Sequence, residues 1–247
     1  MPGERLVISA ATVVVLIVGA AGCGRGSSDP DRTNPANPPT ASGTRTGEGT
    51  PAPATTAPQR FQSTIRRVTA ADLPHSWRRG CPVSPSGLRM IEMTYWGMDD
   101  RAHAGGRLVV NAEAAEDLVT VFRRLFAMRY PIRRMEPVDR FRGSDFDSIE
   151  ADNTSAFNCR RATGSTSFSQ HAYGLAVDLN PCENPYVSSD GTVAHRHCVK
   201  FKNRNLDAPG VIHANDRVVR AFASIGWGWG GNWSGVKDYQ HFSASGR

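Results

Sequence analysis

Between Gly24 and Gln59 lie 36 residues without one aromatic, Val, Ile or Leu, and seven of them are proline. Such a stretch cannot bury enough apolar surface to offset the entropy lost on ordering. It is expected to be an extended spacer, which confines folding to residues 61–247, a length suited to one domain. Ahead of the spacer, Leu6–Gly22 is an unbroken run of small and apolar residues preceded by Arg5. A short apolar run behind a basic start reads as an export signal over 1–22, at the lower limit of the roughly 20 residues needed to span a bilayer.

The run ends Ala20-Ala21-Gly22-Cys23. Small residues before a cysteine resemble the lipobox of bacterial lipoproteins, with Ala20 where Leu is usual. That resemblance implies lipidation of Cys23, and a lipidated tether over 23–60 would hold the domain at the outer face of a membrane, within reach of the cell wall. Plain cleavage and an uncleaved anchor are the alternatives. The net charge of +6 comes from 29 Lys plus Arg against 23 Asp plus Glu and is not clustered. No basic run carries interleaved aromatics, so nucleic-acid binding has little support. A mild excess of Arg suits an anionic polymer or membrane surface.

Within 61–247, Asn111 can cap a helix over Ala112–Arg129, whose Ala114, Leu118, Val121, Phe122 and Leu125 form one face. Asp216–Ile225 repeats the pattern with Val218, Phe222 and Ile225, and Gly226 stands just past its end. Strands are expected at Arg89–Tyr95, Arg107–Asn111, Ile132–Met135, Leu175–Leu179 and Tyr239–Phe242. Irregular alternation of helices, short strands and long loops predicts an α+β fold, a small antiparallel sheet with flanking helices. Cys81, Cys159, Cys182 and Cys198 follow Cys23, and an even number in an exported domain favours two disulfides. Three pairings are possible. Cys182–Cys198 would close a short span and leave Cys81–Cys159. The rival is a metal site from Cys182, His195, His197 and Cys198.

The chemistry sits in two stretches. In Ser169-Gln170-His171-Ala172-Tyr173-Gly174-Leu175-Ala176-Val177-Asp178-Leu179, Leu175, Val177 and Leu179 would share one strand face and Ala176, Asp178 and Asn180 the other. Gly174 lets the chain turn so that His171 returns over Asp178. His and Asp are both zinc ligands, but a hydrogen-bonded structural pair explains these two as well. The second stretch runs Gly226-Trp227-Gly228-Trp229-Gly230-Gly231-Asn232-Trp233, then Asp238-Tyr239-Gln240-His241-Phe242. His241 can supply a third ligand, which leaves a fourth position open for water. Asp238 is placed to reach that water, and the tryptophans to wall the site. His75, His103 and His213 stand in polar loop contexts and read as surface residues.

Taken together, S-x-H-x-x-G-x-A-x-D from Ser169 to Asp178, then G-W-x-W-G-G-x-W and D-x-x-H-F, resemble the VanY-type D-alanyl-D-alanine carboxypeptidase and L-alanyl-D-glutamate endopeptidase family of zinc peptidases, over roughly Met135–Phe242. The resemblance implies one Zn2+ per domain in a surface cleft, bound by His171, Asp178 and His241. It implies Asp238 as general base and then acid, although many relatives carry Glu there. Ser169 and Tyr173 would line the substrate site. Arg160 would stabilise the oxyanion, with Arg142 as the alternative. The implied activity is D-alanyl-D-alanine carboxypeptidase action on peptidoglycan stem peptides. The alternatives are a stem-peptide endopeptidase or a non-catalytic peptidoglycan-binding module.

Overall fold

The computed structural model describes residues 60–247. The signal, the Cys23 lipidation site and nearly all of the tether lie outside the described residues. Three strands, β1 (Ser63–Arg67), β2 (Leu88–Gly97) and β3 (Ala102–Asn111), pair antiparallel in the order β1-β2-β3. Helix α1 (Ala115–Ala127) follows at once. Asn111 caps its leading turn, accepting from the Glu113 amide at 3.0 Å. Leu118, Val121, Phe122 and Leu125 of α1 are buried together with Ile91 and Leu108 of the sheet.

Then come β4 (Pro131–Ile132), β5 (Arg134–Met135), α2 (Asp145–Glu150) and β6 (Asn153–Thr154). The strand expected over Ile132–Met135 is broken at Arg133: β4 pairs parallel with β2 and β5 parallel with β6. Two neighbours cannot be served by one straight run. The other described strand pairings are antiparallel.

A three-stranded sheet positions the site. It consists of β7 (Ala176–Asp178), β11 (His241–Ser243) and β9 (Gly228–Trp229), with β11 in the middle. The expected alternation holds: Val177 and Leu179 are fully buried in the main core. From the other side Phe222 of α3 (Arg217–Ala223) stacks on Phe242 at 3.9 Å. The remaining pair, β8 (Tyr186–Val187) with β10 (Lys237–Asp238), sets Asp238 opposite Tyr186.

Two disulfides close the fold, Cys81–Cys159 and Cys182–Cys198, with sequence separations of 78 and 16. In the chain-entropy model closures of these lengths stabilise by roughly 4–5 and about 3 kcal/mol. The first anchors the segment just before Arg160. The second ties down the loop on the far side of Asp238.

Candidate metal centre

The site is assembled on the β7–β11 ladder, where Asp178 lies directly across from His241. Side chains opposite one another on one face of an antiparallel pair are in reach. His171 arrives from a 3-10 turn over Gln170–Tyr173, with Ser169 capping it by accepting from the His171 amide at 3.3 Å. Gly174 ends that turn at φ 67°, and a Cβ there would come within 2.5 Å of the Asn111 nitrogen. Only glycine fits both the backbone and the space.

Two ring nitrogens and both oxygens of one carboxylate converge. Asp178 Oδ2 lies 3.2 Å from His171 Nε2, Asp178 Oδ1 lies 3.1 Å from His241 Nδ1, and the two ring nitrogens are 3.2 Å apart. Zinc bonds of 2.0–2.1 Å in a tetrahedron imply ligand–ligand edges of about 3.3 Å, so the spacing fits such an ion. The outer contacts fit too. The outward nitrogen of His171, Nδ1, donates to the Ala156 carbonyl at 2.6 Å, and His241 Nε2 donates to the Arg247 carbonyl at 3.4 Å. Each bond fixes the tautomer whose lone pair faces the cluster. Among the described residues one other group, Cys182, His197 and Cys198, has metal-site spacing, but its cysteines are joined to each other and offer no thiolate.

A cleft of about 320 Å³ opens beside the cluster, lined by Arg160, Ser169, His171, Asp238 and His241 among others. Arg160 is brought there by backbone pairing. Ser169 donates to the Arg160 carbonyl at 3.1 Å, and Arg161 bridges Phe168. Arg160 Nε lies 2.8 Å from Asp145 Oδ1 but is not aligned for a hydrogen bond, so the contact is electrostatic. Arg142, the alternative, is exposed at φ 53° and does not line the cleft.

Tyr173 does not line the cleft either. Its carbonyl accepts from Asn111 instead. Tyr186, Gln170 and Arg247 line the cleft without having been singled out as substrate residues. Of the tryptophans, Trp233 packs on His241 at 5.4 Å, while Trp227 and Trp229 belong to the core. Gly230 allows the close packing behind the site, since a Cβ there would meet the Asp238 carbonyl oxygen at 2.4 Å.

The two carboxylates of the site are driven apart. Burial works to raise Asp178, but His171 and His241 hold it far below the ordinary carboxylate range. Burial pushes Asp238 up to about 6, helped by the Asp178 charge and opposed by His241, His171 and the Gln240 amide. Burial works to lower His241, yet its contacts with Asp178 raise it.

The comparison with known families adds to this geometry. Residues 163–244 match the model of the D-alanyl-D-alanine carboxypeptidase family. The match covers about a third of the chain and agrees with the ligand motifs it contains. The matched span contains His171, Asp178, Asp238 and His241, whereas Arg160 lies just outside it. No curated protein and no solved structure matches the chain. The match supports a peptidoglycan-related peptidase activity.

The raised Asp238 has a consequence for stability. Its folded value lies above the unfolded one, so the folded state favours the protonated acid. The penalty is absent below pH about 4, grows as pH rises towards 6 and is complete above it, amounting to at most about 3 kcal/mol. In metal-free protein, Asp238→Asn should therefore raise unfolding free energy at pH 7.5 by about 1–3 kcal/mol and leave it unchanged below pH 4. Urea titrations at both pH values test this. Equal stability of the two proteins at pH 7.5 would contradict the burial of a costly carboxylate.

Proposed function

We propose that this domain is a zinc-dependent D-alanyl-D-alanine carboxypeptidase acting on peptidoglycan stem peptides. The observation that carries the reading is the convergence of His171 Nε2, Asp178 and His241 Nδ1 within 3.2 Å of one another, with both histidine tautomers fixed from behind. These three side chains would hold the zinc. When bound, zinc polarises the scissile carbonyl and makes water acidic enough to attack near neutral pH.

The chain's own residues do the rest. Asp238 takes the proton of the attacking water and returns it to the departing amine, so that water adds across the C–N bond. A carboxyl titrating near 6 is suited to both transfers, since it binds and releases a proton close to neutral pH. Arg160 complements the negative charge that develops on the carbonyl oxygen. Arg247, which also lines the cleft, is placed to meet the substrate's terminal carboxylate.

Replacing His171, Asp178 or His241 with Ala should remove most zinc and nearly all turnover. Asp238→Ala should retain zinc while turnover falls about 10²–10⁴-fold, the usual worth of general acid–base catalysis. The check is metal analysis beside turnover of a peptide ending in D-Ala-D-Ala. Loss of zinc from Asp238→Ala would make Asp238 a ligand and sink its assigned role.

The N-terminal segment adds a location to the proposal. The Ala20-Ala21-Gly22-Cys23 sequence supports lipidation, so Cys23→Ser should move the protein from membrane to soluble fraction or stall its processing. Unchanged fractionation and unchanged size would count against a lipid anchor.

A further inference from the structure

A second cavity, about 400 Å³, adjoins the cleft and shares Arg160, Thr163, Tyr186 and Asp238 with it. Its further walls include Phe146, Ile149, Pro181 and Val193, a largely apolar set. Its size falls in the range of small-molecule sites, about 300–1,000 Å³. The Val193–His195 wall belongs to the loop closed by Cys182–Cys198, so it is held in place.

Two residues here lack a partner that the fold itself explains. Phe146 is 56% exposed, the more exposed of the two large hydrophobics found at the described surface. Its ring is nevertheless fixed, 4.4 Å from that of His195, which is tied to Glu150 at 2.5 Å. Gln240 is only 3% exposed and lines the same cavity. Its Oε1 accepts no hydrogen bond. A buried acceptor left unpaired costs about 1–3 kcal/mol, and a donor from a ligand would offset that cost.

We propose that this cavity binds the acyl-side segment of the peptide substrate, with a substrate N–H donating to Gln240 Oε1 and an aliphatic side chain lying against Phe146. The proposal deepens the peptidase reading and rests on it. In a carboxypeptidase only one small residue, D-alanine, lies beyond the scissile bond, and a cavity of this size exceeds it. The peptide before the bond is longer and carries the N–H groups and side chains that the cavity can take. The apolar walls suit an aliphatic stem.

The test compares zinc-loaded wild type, Phe146→Ala and Gln240→Met on N-acetyl-D-Ala-D-Ala and on a pentapeptide with Lys before D-Ala-D-Ala. For Phe146→Ala, kcat/KM on the pentapeptide should fall about 10–100-fold, mainly through KM, and stay within about 3-fold on the short substrate. Gln240→Met should cost the pentapeptide about 10-fold more than the short substrate. Calorimetry supplies a readout free of turnover: Kd for the tetrapeptide product should weaken about 10-fold in Phe146→Ala. If wild type cuts neither substrate but binds the tetrapeptide in a Phe146-dependent way, the subsite stands and the carboxypeptidase reading falls. If wild type cuts both and the variants lose equally on both, or Kd does not move, the subsite proposal is overturned while the carboxypeptidase reading stands. If wild type neither cuts nor binds, both are overturned.

Discussion

The antiparallel pairing of β7 with β11 carries the rest of the site. It sets Asp178 opposite His241 on one face and buries Val177 and Phe242 on the other. Side chains in a strand alternate, so a slip of one residue would send the ligands to the core and the core residues to the cleft. Burial of Val177, Leu179 and Phe242, the last stacked on Phe222, therefore fixes the register that brings the donors together. The hydrophobic core and the metal centre are two faces of the same three strands.

A strip of chain before the motif completes the scaffold. Ser155 pairs with Asp178, the Ala156 carbonyl holds the His171 ring, and Asn158 donates to the His171 carbonyl. Cys159 is then locked to Cys81, and Arg160 follows into the cleft. This arrangement holds two carboxylates in opposite states. Asp178 is bonded to two histidines and stays ionised, while Asp238 lacks such bonds, feels the Asp178 charge and titrates near 6. One suits a ligand and the other a proton carrier.

Much of this was legible in the chain. The alternation of Leu175, Val177 and Leu179 with Asp178 depends on strand period alone, and the α1 face on helix period alone. The family resemblance carried by the His171 and His241 motifs implied the three residues that the structure brings together. What stayed hidden depends on tertiary contacts. The outer partners of the histidines are the backbone carbonyls of Ala156 and Arg247, which no side-chain pattern reports. Tyr173 was assigned to the cleft by motif position, and it is not among the residues that line it. Helix α2 is six residues long and β1 five, too short for periodicity to stand out. Gln240 gave no signal, because an unpaired buried oxygen is a property of its surroundings.

The central claim is that two imidazoles and one carboxylate, with no sulfur, hold the metal. X-ray absorption at the zinc edge of the loaded protein reads this directly. The account predicts a first shell of nitrogen and oxygen only, with the outer-shell scattering of two imidazole rings. A sulfur shell near 2.3 Å, or a spectrum lacking imidazole scattering, would contradict it.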